Sequence, residues 1–334
     1  MSTKDKVLKE LEYHRDEFVS GQDLADKLQL SRTAVWKAMD SLRQDGFVIH
    51  STTNRGYQLD KDCDKLSRIG IQKDLMAPLK EMDLYLYDQI DSTNTEAKRL
   101  LYSQDVKNFT ILVADEQFKG RGRRGKSFQS PKGSGVYLSI ILHPEKKFDL
   151  NDFDLVTVRA AVAVVKTIKK FVEDGAPSIK WVNDIYCKGK KVCGILSELD
   201  ADFESKTVSS VIVGIGVNIK KPDGGFDPSV RDIAGWIAPK NRRRNEFVAS
   251  LMNEFYHVYY EMTDEEVLKI YRDHSLVLGK SLSFEHNGKR YEGIGKDINE
   301  KGNLIVETAQ GEMVLSSGEI SIEGDFLSEN NKRY

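Results

Sequence analysis

The sequence has 334 residues, with 50 lysines and arginines set against 52 aspartates and glutamates. That length exceeds one ordinary core and predicts two or three domains. The charge balance excludes a uniformly basic surface, so any nucleic-acid patch has to be local. Three cysteines (Cys63, Cys187, Cys193) form no C-x-x-C pair, and the six histidines show no zinc spacing, so the sequence offers no metal framework. The polar N-terminus, the cysteine usage and the lack of a long apolar run predict a cytoplasmic protein that engages no membrane.

Residues 1–62 read as three short helices and a hairpin. Apolar stripes run through Val7, Leu8 and Leu11, then Leu24, Ala25 and Leu28, then Val35, Ala38, Met39 and Leu42. Ser31 is placed to cap the third helix and Gly46 to end it. With only Gln29 and Leu30 before that cap, the second and third helices must turn sharply, as in a helix-turn-helix. Arg32, Thr33, Trp36 and Lys37 lie on the outward face near the start of the third helix, the end that reaches base edges. Strands over 47–51 and 56–59 predict a wing tipped by Arg55. The spacing, cap and wing point to a winged helix-turn-helix, although nine basic residues face ten acidic ones in residues 1–60. The alternative is a small protein-interaction module. Residues 63–83 read as a connecting segment with one short helix over 67–76.

Residues 84–273 carry the chemistry. A strand at 84–87 leads through Ser92-Thr93-Asn94 into a helix, a turn rich in small hydrogen-bonding side chains. Between a strand ending at Ala114 and another over 136–142 lies a stretch with five glycines, three arginines and three lysines. Glycine permits close backbone approach and arginine matches carboxylate or phosphate oxygens, so this stretch predicts an anion-binding loop. It fits both G-x-G-x-x-G (Gly120–Gly125) and G-x-x-x-x-G-K-S, but Pro131, Gly133 and Gly135 rule out the following helix that either motif needs. A long helix over 151–172 follows, then a strand entering a tight turn at Lys180-Trp181-Val182-Asn183-Asp184. Strands over 192–199 and 208–219 and helices over 242–262 and 264–273 complete the unit. Helices alternating irregularly with hairpins predict an α+β fold on a mixed or antiparallel sheet. In residues 274–334, short strands separated by Asn287-Gly288, Lys301-Gly302-Asn303 and Gln310-Gly311 predict a small barrel, and 325–334 a polar tail.

Taken in order, Ser92-Thr93-Asn94, Glu116-Gln117, Gly120 to Gly125 with Ser130-Pro131, Lys180 to Asp184, Lys191 to Leu196 and Gly214 to Asn218 resemble the biotin protein ligases. With the N-terminal winged helix, the chain is similar to the bifunctional type, the biotin ligase and biotin-operon repressor of bacteria. The resemblance implies a central domain of the class II aminoacyl-tRNA synthetase and biotin ligase type with an SH3-like C-terminal barrel. It implies a two-step reaction: biotin and ATP give biotinyl-5′-AMP, which then acylates one lysine of the biotin carboxyl carrier domain of acetyl-CoA or pyruvate carboxylase. Ser92, Thr93, Asn94 and Gln117 would bind biotin. Arg121, Gly122 and Arg123 would close over it, with Arg123 limiting escape of the adenylate. Lys191 would hold the carboxyl and phosphate oxygens, and Lys180 the ATP phosphates. Asn183, Asp184 and Asn218 would lie near the nucleotide and Mg2+, with Trp236 beside the adenine. Biotinyl-5′-AMP would also act as corepressor for a homodimer on an inverted-repeat operator. Val182 stands where proline is usual and Phe128 where tryptophan is common. A pure ligand-sensing repressor and a lipoate-type ligase are the competing readings; Lys191, Arg123 and Asn183-Asp184 together disfavour the first and the glycine-arginine loop the second. Trp181 and Trp236 also read as simple core residues.

Overall fold

The computed structural model describes residues 1–144, 153–173, 175–202, 207–239 and 243–322, and the chain divides into two compact units. The first comprises Met1–Lys80 and Asn241–Ser250; the second comprises Glu81–Lys240 and Leu251–Tyr334.

In the first unit, α1 (Thr3–Tyr13), α2 (Gly21–Leu28) and α3 (Arg32–Gln44) each begin on a serine whose hydroxyl accepts backbone N–H groups. Such caps satisfy donors that a helix start leaves unpaired. Gln29 ends α2 in the left-handed region, at φ 54°, and the chain turns at once into α3. The three predicted stripes meet in one core with Phe47, Ile49, Leu59 and Cys63. A hairpin of β1 (Ile49–Thr52) and β2 (Gly56–Leu59) follows. Inside this unit Arg15 makes a bidentate pair with Glu12 (2.7 and 2.9 Å) and donates to the carbonyls of Asp60 and Cys63, which ties the end of the hairpin to α1.

The segment read as a connector forms α4 (Arg68–Lys73) and packs in the same unit. It is held by residues far along the chain. Arg244 donates from its backbone N and its Nε to the Asp64 carboxylate, both at 2.8 Å, and Asn245 exchanges hydrogen bonds with Lys65 and Ser67. Arg244 and Asn245 are buried, so each bond satisfies a polar group withdrawn from water.

The second unit is built on a seven-stranded sheet of order β3-β4-β5-β9-β8-β7-β6. Its strands are β3 (Leu84–Tyr87), β4 (Thr110–Ala114), β5 (Gly135–Leu142), β6 (Ser178–Lys180), β7 (Asp184–Cys187), β8 (Lys190–Asp202) and β9 (Thr207–Asn218). Only β3 and β4 pair in parallel, so the sheet is mixed, as the alternation of hairpins and helices predicts. Helix α5 (Thr93–Ser103) and helix α6 (Phe153–Phe171) take opposite faces. Successive strand residues point to opposite sides: Ser197 of β8 accepts from Thr157 of α6, whereas the next residue, Glu198, accepts from Asn94 of α5. Residues 151–152, at the start of the predicted helix, lie outside the described residues, as does Arg242. Helix α7 (Arg244–Tyr256) runs into a π-turn at His257–Glu261 and is followed by α8 (Asp264–Asp273).

The C-terminal part of this unit is a five-stranded antiparallel sheet of order β13-β12-β11-β10-β14. Its strands are β10 (Ser281–His286), β11 (Lys289–Ile298), β12 (Leu304–Thr308), β13 (Gly311–Leu315) and β14 (Ile320–Ile322). The five strands agree with the turn spacing. The closure expected of a barrel is not seen among the described residues, because the edge strands β13 and β14 share no ladder. The tail read over 325–334 lies outside the described residues.

Candidate active site

The α5 face of the sheet carries a cavity of about 530 Å³. Its floor depends on missing side chains. Gly194 of β8 and Gly216 of β9 are direct ladder partners. A Cβ on Gly216 would come within 2.5 Å of the Phe128 ring, and one on Gly194 within 3.2 Å. Phe128 closes the glycine-arginine stretch, which folds as a tight hairpin. The N–H of Phe128 bonds the Gly120 carbonyl and that of Gly122 the Lys126 carbonyl, with Arg124 and Gly125 in the left-handed region at the tip. No helix follows, which accords with the rejection of both phosphate-loop patterns.

One part of the lining is a chain of neutral hydrogen-bonding groups. Gln117 Oε1 accepts from the Thr93 N–H at 2.8 Å and from its hydroxyl at 3.2 Å, while Gln117 Nε2 donates to Ser130 at 2.8 Å. The Ser139 hydroxyl lies 2.7 Å from Thr93 Oγ1 and 2.6 Å from Asn94 Oδ1. The Asn94 amide donates to the Leu196 carbonyl and to Glu198. A Cβ on Gly214 would sit 2.2 Å from Asn94 Oδ1, so a larger residue there would have to displace the Asn94 amide. Ser92 occupies the N-cap of α5 but makes no side-chain cap bond, so its buried hydroxyl is not used as an ordinary cap.

The other part is charged. Lys191 Nζ lies 2.7 Å from Asp184 Oδ1, and Arg123 donates to Asn183 Oδ1 at 3.2 Å. The lysine contact is one of charge, not of hydrogen-bond alignment, because Asp184 Oδ1 is buried with no hydrogen-bond partner. Burial lowers the proton affinity of both Lys180 and Arg123. Asp184 opposes that effect, while Lys191 adds to it for Lys180 and Arg124 for Arg123. Burial would raise the Glu198 carboxyl, yet hydrogen bonds from Lys98 and Asn94 and the charges of Lys98 and Arg121 hold it below the usual value. Asn183 is fixed to β8 by bonds in both directions with Ile195. The Trp181–Val182 peptide is cis. The Trp181 indole is 3% exposed and donates to the Gly302 carbonyl, so it is a packed residue that also borders the cavity.

Ser92, Thr93, Asn94, Gln117, Arg121, Gly122, Arg123, Lys180, Asn183, Asp184, Lys191 and Asn218 all line this one cavity. Trp236 does not border it directly. Its ring is 40% exposed and lies 6.4 Å from that of Phe226, a lining residue, and Asn218 holds its loop by donating to the Gly235 carbonyl. Sequence reading misses Ser139, Glu198 and Glu319. A serine inside the apolar run 136–142 and a carboxylate two residues after the Gly194-Ile195-Leu196 run were the available signals for the first two. Glu319 pairs with Lys126 of the hairpin at 2.7 Å.

In the first unit, Ser31 Oγ accepts the Ala34 N–H at 3.1 Å, as a cap should. Arg32, Thr33, Trp36 and Lys37 are exposed on one side of α3, and Trp36 is 55% exposed. The Arg55 guanidinium stands 4.4 Å from the Phe18 ring centre, which steadies the hairpin tip by a cation–π contact.

Residues 86–218 match the Biotin/lipoate A/B protein ligase family, residues 3–58 an HTH domain, and residues 277–322 the Biotin protein ligase C terminal domain. The chain is 31% identical over 313 residues to the bifunctional ligase/repressor BirA of Bacillus subtilis (strain 168), covering 92% of this chain and 94% of that one. It belongs to the BirA family of bifunctional ligase/repressors. The BirA of Escherichia coli (strain K12) is 27% identical over 316 residues, covering 92% and 93%. Among solved structures, the biotin protein ligase from Aquifex aeolicus in complex with biotin and ATP is similar at a TM-score of 0.61 and 27% identity, covering 73% of this chain and 99% of that one. The BirA-family ligase match spans β3 to β9, and the C-terminal match takes in the sheet of β10 to β14.

Proposed function

We propose that the chain is an ATP-dependent biotin–[biotin carboxyl carrier protein] ligase working through biotinyl-5′-AMP, and a biotin-responsive repressor of biotin synthesis and transport genes. One observation carries the ligase reading. A single cavity joins a neutral hydrogen-bonding set, suited to a ureido ring, to Lys180, Lys191 and Arg123 gathered around the Asp184 carboxylate.

In the first step a biotin carboxylate oxygen attacks the α-phosphorus of ATP and pyrophosphate leaves. Two anions must approach, so fixed positive charge has to oppose their repulsion and the charge that develops. Lys191 is assigned to the biotin carboxyl and α-phosphate oxygens, and Lys180 to the ATP phosphates. The partial desolvation of Lys180 strengthens its contact, because the local dielectric is low. Ser92, Thr93, Asn94 and Gln117 orient the biotin head group, which converts encounter into alignment. Arg121, Gly122 and Arg123 cover the mixed anhydride and exclude water from it. In the second step a carrier lysine attacks the acyl carbon and AMP departs. Asn183 and Asn218 are assigned to the nucleotide, and Trp236 with Phe226 to an aromatic wall beside adenine. Asp184 Oδ1, buried and met by the Lys191 ammonium at 2.7 Å without an aligned hydrogen bond, is a hard oxygen that suits Mg2+, which binds through one or two carboxylates plus substrate phosphates. Bound there, the ion would neutralise phosphate charge.

In this reading residues 1–62 are a winged helix-turn-helix and 63–83 a linker. Residues 84–273 are a ligase core of the class II aminoacyl-tRNA synthetase type, and 274–334 an SH3-like domain. Ser31 sets the start of the recognition helix. Arg32, Thr33, Trp36 and Lys37 read the operator, and Arg55 contacts it from the wing. The adenylate acts as corepressor and favours a homodimer on an inverted repeat. The protein acts in the cytoplasm and modifies the carrier domain of acetyl-CoA or pyruvate carboxylase.

The test incubates purified protein with biotin, ATP and Mg2+, desalts it, and identifies retained small molecules by mass spectrometry. Retained biotinyl-5′-AMP, transferable to a carrier domain, is expected. Retention of unreacted biotin alone would refute the ligase assignment and leave a sensor.

A further inference from the structure

Glu198 stands outside every role assigned so far, yet it is the most heavily engaged carboxylate beside the cavity. Its side chain is 15% exposed. Arg121 grips it with two bonds of 3.0 Å, one to each oxygen. Asn94 Nδ2 donates to Oε2 at 2.9 Å and Lys98 Nζ to Oε1 at 2.8 Å. Arg121 opens the glycine-arginine hairpin, and Asn94 belongs to the chain of groups that leads through Ser139 and Thr93 to Gln117. Gln117 in turn bonds Ser130, which donates to the carbonyl of Phe128 at the hairpin's far end. One continuous network therefore fastens both ends of the hairpin, and Glu198 is its sole anion. A bidentate arginine–carboxylate pair is strong and geometrically specific, and a half-buried one is screened less than a surface pair.

We propose that Glu198 is a positioning residue that latches the 120–128 hairpin shut through Arg121 and couples closure to the groups lining the cavity through Asn94. The latch itself needs only the contacts above. Its consequence, slower escape of the adenylate, rests on the ligase reading. Lys98 is 46% exposed and shares the same carboxylate without touching the hairpin, so it serves as the internal control.

The experiment measures hydrogen exchange of residues 118–130 in full-length protein, wild type against Glu198→Gln, Arg121→Gln, the double variant and Lys98→Met. A glutamine at 198 can still accept from Asn94 but cannot pair ionically with Arg121. Exchange in the hairpin is expected to rise about tenfold or more in Glu198→Gln, as for loss of a charge-assisted pair. Arg121→Gln should match it, the double variant should add nothing further, and Lys98→Met should stay near wild type. Protection in β4 and β5 reports on folding, and the exposed Arg121 gives a variant with little folding risk. Unchanged hairpin exchange, or fully additive single variants, overturns the latch. The half-life of retained biotinyl-5′-AMP is then compared in the same proteins, and a shortened one is expected. If wild type forms no adenylate, the ligase reading fails while the exchange result still decides the latch.

Discussion

Lys180, Lys191 and Arg123 crowd like charge around Asp184, and their separate roles predict separate failures. In the role proposed for Lys191, Lys191→Ala removes a contact to the reacting oxygens, so adenylation should fall on the order of a hundredfold, as for loss of one oxyanion donor. Arg123→Ala leaves that contact but breaks the tie from hairpin to Asn183. Adenylate should form and then leak, which is read as biotin on lysines of a bystander protein. A pattern with formation lost and no leakage would move Arg123 from retention to chemistry. Lys180 predicts a pH effect. Burial lowers its affinity for the proton, so it loses its charge at a lower pH than an ordinary lysine. Adenylation should therefore decline on the alkaline side before a free lysine would titrate, and Lys180→Arg, which stays charged, should push that decline upward. An unmoved alkaline limb would assign it to another group.

At the scale of elements, β8 and β9 are shaped by absence. The Gly216→Ala variant places a methyl carbon within 2.5 Å of the Phe128 ring, so the ring and its hairpin must move. Biotin KM should rise at least about tenfold while the fold persists, because the clash is with a side chain at a cavity and not inside a packed core. Titration by initial rates checks it. In α3, Arg32→Ala and Lys37→Ala should weaken operator binding. A residue that touches phosphate should also flatten the salt dependence by about one counterion, whereas a base contact should relax sequence preference. Much of this was legible in the sequence because the motifs are local. Ser92-Thr93-Asn94 sits on one strand-to-helix turn, and Ser31 caps the helix it precedes. Glu198 and Ser139 were not legible, because their partners lie dozens of positions away and a lone polar residue in a strand has several readings. The strands of the C-terminal sheet followed from turn spacing, but closure depends on whether two edges pair, which no local pattern encodes.

For the whole molecule, the two activities predict a reciprocal linkage. If biotinyl-5′-AMP tightens operator binding by some factor, operator DNA must tighten adenylate binding by the same factor. Adenylate dissociation measured with and without operator duplex should differ by the ratio found in DNA titrations, and equal affinities in both states would separate the functions. The N-terminal unit gives the chain's organisation a second consequence. Just beyond the helix-turn-helix, Asp64, Lys65 and Ser67 bond Arg244 and Asn245, contacts spanning about 180 positions. The 160 residues from Glu81 to Lys240 intervene before the segment that joins this unit is made. During synthesis the first helices thus leave the ribosome long before Arg244 and Asn245 can join them. The helix-turn-helix unit is begun before the ligase sheet and is completed only after all seven strands of that sheet have been made.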